Sequence, residues 1–206
     1  MRLWTIQPLA VWRILEHTGV FHTDPAHSAH KDDFPEAYDW IVRRLRQHAG
    51  PSPEGCELPI WAWHQWRGAA RPKPDLRWFR HKTEGDFVRI AVEITDNEVL
   101  LSDFDLWYSC MNYWYLPVSR ADDRRFTKSL RERGLDYYKT RPLPDPQYHA
   151  RIEQSWERIL DLDRVGRDKV TRENRWIQAV FWELRRDQVC EVTPFRGTWS
   201  DRKSRP

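Results

Sequence analysis

Apolar and polar positions alternate along this chain at two different periods, and the changes of period mark its elements. Leu3 to Ile6 reads as a short opening strand. Leu9, Trp12 and Leu15 recur at helical spacing behind Pro8, and the stripe stops before Gly19, so the pattern predicts a first helix there. Phe21 to Lys31 is polar and turn-like. Tyr38, Ile41, Val42 and Leu45 share one face of a second helix. Asp33 and Glu36 form an acidic capping box for it, Pro35 suits its first turn, and Gly50-Pro51-Ser52-Pro53 closes it. Pro59 to Trp66 reads as a strand with Trp61, Trp63 and Gln65 on one face and Ile60, Ala62, His64 and Trp66 on the other. After a basic Pro/Gly connection, Phe87 to Ile94 alternates again, with Val88, Ile90, Val92 and Ile94 opposite Arg89 and Glu93.

Asp96-Asn97 marks a turn, and Val99 to Leu101 forms a further short run. Ser102 with Asp105 is an N-cap signature for a helix through about Trp114. From Ser119 to about Val170 the chain is charged and helical in pattern, broken at Arg141-Pro142-Leu143-Pro144-Asp145-Pro146. Asp145-Pro146 predicts the start of a helix carrying Ile152, Trp156, Ile159 and Leu160. Ile177 to Leu184 returns to strand character, followed by Val189, Val192 and Phe195. Strands at both ends with helices between them predict an α+β fold in which the terminal strands share one sheet. The expected organisation is one domain over 1–199 with a charged helical insertion at about 119–170, and a loose polar tail over 200–206.

Composition narrows the function classes. A chain of 206 residues with 40% apolar and 32% charged positions is long enough for a real core and reads as globular. Its formal net charge is only +3, so bulk charge does not force a nucleic-acid reading. The distribution is more pointed: Arg120, Arg124, Arg125, Lys128, Arg131 and Arg133 cluster, as do Arg164, Arg167, Lys169 and Arg172. These are solvated helix faces or a phosphate-tracking surface. Cys56, Cys110 and Cys190 are odd in number and far apart, which indicates neither a disulfide framework nor a zinc ribbon. No apolar run approaches a membrane span, and the natural compartment is a reducing cytoplasm. Only eight glycines are present, and no phosphate loop, nucleophile elbow or paired-carboxylate motif occurs.

Candidate chemistry lies in three places. His22, His27 and His30 sit near Asp24, but without the spacing of a metal-binding helix, and they read as surface residues with no metal expected. Thirteen tryptophans build either an aromatic core or a flat-walled pocket. Trp61, Trp63 and Trp66 with His64 have the make-up of a wall for a planar ligand; the alternative is a Trp-rich core with His64 hydrogen-bonded inside it. Asp103 and Asp105 open a helix, where capping accounts for both; a functional role for them is to hold a ribose hydroxyl or a cationic group.

Arg2-Leu3-Trp4-Thr5-Ile6-Gln7, Ile60-Trp61-Ala62-Trp63, Val99-Leu100-Leu101-Ser102-Asp103-Phe104-Asp105 and Ile177-Gln178-Ala179-Val180-Phe181-Trp182-Glu183-Leu184 together resemble a bacterial family, domain of unknown function 3841. More distantly, the order of parts resembles the ADP-ribosyltransferase fold of the DNA-modifying toxin type. The shared parts are a strand, helix and glycine over Leu3 to Gly19, a strand leading into Ser102-Asp103, and a closing Gln178-Ala179 strand before Val189 to Val192. That resemblance implies a split antiparallel sheet flanked by helices, with NAD bound as substrate in the cleft. It implies that Arg2 or Thr5 holds the nicotinamide ribose, that Trp61, Trp63 or Trp66 stacks on the nicotinamide, and that a late glutamate orients the ribose. In the toxins this glutamate directly follows Gln-Ala, a place taken here by Val180, so Glu183 is the nearest candidate and Glu191 another. The expected activity is transfer of ADP-ribose from NAD to a nucleic-acid or protein acceptor. The alternatives are a non-enzymatic nucleotide or nucleic-acid binding module and a structural, partner-binding domain.

Overall fold

The computed structural model describes residues 1–23, 32–164 and 169–199. In chain order the regular elements are β1 (Arg2–Pro8), α1 (Leu9–Thr18), β2 (Val20–Phe21), α2 (Pro35–Ala49), β3 (Ile60–Gln65), α3 (Leu76–Arg80) and β4 (Glu84–Glu93). There follow β5 (Leu100–Asp103), α4 (Phe104–Met111), α5 (Arg120–Glu132), α6 (Pro146–Ser155), β6 (Ile177–Phe181), β7 (Leu184–Arg185) and β8 (Val189–Thr198). Six strands form one antiparallel sheet in the order β5-β6-β3-β1-β4-β8, and β2 pairs with β7 in a separate two-stranded ribbon. The terminal strands β1 and β8 thus share a sheet, with β4 between them. The sheet is continuous across its six strands, which corrects the expectation of a split sheet: the ribbon, not a second half-sheet, is the separate piece.

Cross-strand register decides what each face buries, because directly opposed residues point the same way. Leu3 opposes Val92 and Thr5 opposes Ile90, while Ala62 opposes Ala179 and Ile60 opposes Phe181. All of these but Thr5, which is buried and polar, form a core with Leu15 of α1. On the other face Trp61 opposes Val180, which opposes Leu100. That row is covered by α2, α4, α5 and α6 through Ile41, Leu45, Trp107, Phe126 and Ile152. Burying each such side chain contributes about 1.5–3 kcal/mol before entropy is counted. The largest buried side chains include Trp40, Trp66 and Trp156, so much of the tryptophan serves as core.

Several local expectations need correction. Helix α4 is capped by Asp103, whose carboxylate accepts from Leu106 N–H, rather than by Ser102, and it ends at Met111. Ser102 belongs to β5 and is fully buried, which leaves the next residue as the last extended one. Helix α2 starts at Pro35 with no side-chain cap. Trp66 follows the end of β3 and packs on Trp63, with ring centroids 4.6 Å apart, instead of facing away from it. A register shift between Trp63 and Gln65 breaks the alternation on which that facing was read. Strand β6 stops at Phe181, so Glu183 sits in the break before β7 and on neither face of a strand.

Candidate functional site

The break between β6 and β7 builds the most suggestive polar arrangement. In the ribbon, Phe21 opposes Leu184 and Val20 opposes Arg185. His22, one residue beyond β2, therefore meets Glu183, one residue before β7. His22 Nε2 lies 2.8 Å from Glu183 Oε1, and the two side chains are 27% and 25% exposed, enough for a ligand to reach them. Arg185 Nη1 stands 3.8 Å from Glu183 Oε2 and 3.1 Å from Glu98 Oε1. The Arg185 backbone N–H donates to Gln188 Oε1 at 3.0 Å, which pins the turn that presents it.

Glu183 and Arg185 line a cavity of about 150 Å³ whose other walls include Ile94, Phe181, Trp182 and Gln188. Trp182 is buried, and its indole N–H donates to Gly50 O at 3.2 Å. Cys56 Sγ donates to Trp182 O at 3.2 Å; burial pushes its thiol up to about 11, with the Glu183 charge adding to the effect. This is no nucleophile. A carboxylate hydrogen-bonded to an imidazole beside an apolar floor can orient a hydroxyl and accept its proton.

The other sequence-derived candidates fall elsewhere. Thr5 is fully buried, its hydroxyl donating to Trp61 O and accepting from Gln7 Nε2, each at 2.8 Å. Trp61 packs against Tyr38 and Trp107. Burial raises the Tyr38 hydroxyl to about 12, with the Trp61 indole pulling weakly the other way. Trp63 and Trp66 are buried in an aromatic group with Phe79, Phe104 and Trp176, so other rings occupy their surroundings. Arg2 and His64 are neighbours: burial lowers the His64 pKa below the ordinary 6.5, with the Arg2 backbone acting in the opposite direction. The Arg2 guanidinium approaches Glu191 at 3.9 Å and lies over the Trp4 ring.

Asp103 is buried and shared by two guanidiniums, Arg164 at 2.5 Å and Arg175 at 3.0 Å. Asp105 is exposed in the first turn of α4. Glu191 is gripped by Lys73 at 2.8 Å and by Arg89 at 3.4 Å.

The structure brings together Arg2 with His64 and Trp63 with Trp66, but places Glu183 with none of them. The sequence reading named His22 only beside His27, His30 and Asp24 and missed Arg185, so the grouping of both with Glu183 escaped it. The signal available was that His22 and Glu183 each adjoin a very short apolar stretch, Val20-Phe21 and Leu184, too brief to be read as a ribbon. Asp24, His27 and His30 lie outside the described residues, and among the described residues no group of His, Cys, Asp and Glu could hold a metal ion. No helix among them is long and apolar enough to cross a membrane.

No curated protein and no solved structure matches this chain. A family model does match, over residues 2–190, from the opening of β1 to the second residue of β8. The chain belongs to the family described as Domain of unknown function (DUF3841).

Proposed function

We propose that this domain binds a nucleotide-type ligand, NAD in the first instance, with its reactive ribose set against Glu183. The observation that carries the reading is the His22–Glu183 pair, 2.8 Å apart and partly open, whose glutamate lines a cavity together with Phe181 and Trp182. A volume of about 150 Å³ takes one ring or sugar, whereas a whole small-molecule site spans roughly 300–1,000 Å³. The rest of a dinucleotide therefore extends over the surface. Trp182 takes the stacking role first assigned to Trp61, Trp63 and Trp66. The contiguity of β6, β3 and β1 also supports the reading, since it needs the first strand, the Trp-rich strand and the late strand side by side.

In this reading the C1′–N bond of the nicotinamide riboside breaks and its electron pair leaves with nicotinamide. The Glu183 carboxylate accepts a hydrogen bond from the ribose 2′-hydroxyl and offsets the positive charge growing on the sugar. His22 holds the carboxylate in place and shares the proton released by the incoming acceptor. Titrating the protein with NAD while following tryptophan emission tests the binding half. Saturable quenching in the parent that weakens about tenfold or more in Glu183→Gln, a loss of ~1.4 kcal/mol, supports it. Equal quenching in both removes Glu183 from the site.

A second reading, a nucleic-acid binding module, is favoured by one observation: Arg120, Arg124, Arg125, Lys128 and Arg131 are all exposed on α5. It predicts affinity that falls steeply with salt.

A further inference from the structure

A second cavity, of about 180 Å³, lies between the chain leaving α4 and helix α6. Tyr115, Val118, Arg151, Gln154 and Arg158 are among its lining residues. Its two arginines are held by means other than acidic partners. The Arg151 guanidinium carbon sits 5.0 Å from the centre of the Phe126 ring and 5.3 Å from that of Tyr148. Arg158 Nη1 donates to the carbonyls of Leu116 and Pro117. Among the described residues neither arginine makes an ion pair with a carboxylate.

The carboxylate closest to this place in the hydrogen-bond network is Asp122, and it is already engaged. Its Oδ2 accepts from the Tyr115 hydroxyl and from Val118 N–H, each at 3.0 Å, and its Oδ1 faces Arg125 at 3.5 Å. Two guanidiniums held in place by rings and carbonyls thus line a cavity with no carboxylate in ion-pair contact with either; Asp122 and Asp161 act on Arg158 only from farther away. That arrangement suits an oxyanion with several acceptor oxygens. The cations continue beyond the cavity. Helix α5 with the following Arg133 carries six basic residues against three acidic ones, and the basic side chains are exposed. A 13-residue helix is about 20 Å long, enough to follow several successive phosphates of one strand.

We propose that this cavity seats a backbone phosphate of a nucleic-acid strand. Arg151 and Arg158 hold its non-bridging oxygens, and the exposed cations of α5 meet the adjoining phosphates. The inference deepens the nucleic-acid reading above by naming where the strand is anchored, and it is independent of what Glu183 does.

The test is fluorescence anisotropy of a labelled 20-nucleotide single-stranded DNA with the full chain, at low and moderate salt, for the parent, Arg151→Gln, Arg151→Lys and Arg124→Gln. Arg151 is exposed, so its replacement leaves the fold intact. The parent should bind and weaken about tenfold or more between 50 and 200 mM salt. Arg151→Gln should weaken binding about fivefold and reduce the salt slope by about one, and Arg151→Lys should recover part of the loss. Arg124→Gln should cost less. Salt-dependent binding unchanged in Arg151→Gln overturns the cavity as anchor while leaving α5 as a binding face. No binding of the oligonucleotide overturns both the anchor and the nucleic-acid reading. If inorganic phosphate protects the parent against thermal unfolding but the oligonucleotide does not bind, the occupant is a small phosphate and the strand proposal fails.

Discussion

Glu191 and Cys56 show how single environments set behaviour at the residue scale. Lys73 and Thr193 bond to the Glu191 carboxylate and hold its pKa near 2, below the ordinary 4.5. The stability it adds is complete above the ordinary value and is lost as pH falls through about 2. The carboxylate is 38% exposed, so solvent screens the pair and the contribution is a fraction of a kcal/mol. Glu191→Gln should flatten the acid limb of the stability curve only slightly, and a loss of several kcal/mol at neutral pH would contradict this picture. Burial raises both Cys56, to about 11, and Cys110, whereas Cys190 is exposed. With a thiol reagent at pH 8 one cysteine should react promptly in the native protein and two only after unfolding. Residue chemistry was partly legible in the sequence: Glu183 and His22 were each named but not as a pair, because they lie 161 positions apart and only the ribbon pairing joins them.

Elements meet through a few buried polar junctions, and the chief one is at Asp103. It caps α4 and receives two guanidiniums whose side chains are only 8% and 2% exposed. Arg175 is tied further to Leu162 O at 3.0 Å and Arg164 O at 2.8 Å, so the junction fastens the chain before β6 to the end of β5. Asp103→Ala removes the cap and the carboxylate that Arg164 and Arg175 share; it should cost about 3–5 kcal/mol in chemical denaturation. A loss under about 1 kcal/mol would show that the guanidiniums find water there. Gly197 of β8 offers a steric counterpart: a Cβ there would lie 2.3 Å from Thr83 O. Gly197→Ala should therefore destabilise the β4–β8 edge by about 1–3 kcal/mol, read from the same denaturation curve. Helices and most strands were legible because their apolar periods are long, as at Tyr38 to Leu45 and Val88 to Ile94. Cap positions and strand ends were not, because they depend on hydrogen bonds to distant residues.

At the scale of the whole molecule, the domain carries two kinds of surface. One set of helices carries a basic face and the Arg151–Arg158 cavity, while the ribbon at the end of β6 carries the His22–Glu183 pair. The α+β class and the shared sheet of the terminal strands follow from the order of patterns along the chain. Strand order does not, since the Ile94–Val99 connection carries the chain from β4 past the places of β1, β3 and β6 before β5 forms the edge. The aromatic residues were the hardest to assign, because Trp63 and Trp66 have the same composition as a ligand wall yet pack into each other. The most direct measurement is release of nicotinamide from NAD by the purified chain, with and without nucleic acid, compared with Glu183→Gln. Glu183 at the reacting sugar predicts release by the parent and a loss of at least about a hundredfold in the variant with unchanged unfolding. Equal release by both proteins, or none from the parent under either condition, would contradict a transferase centred on Glu183.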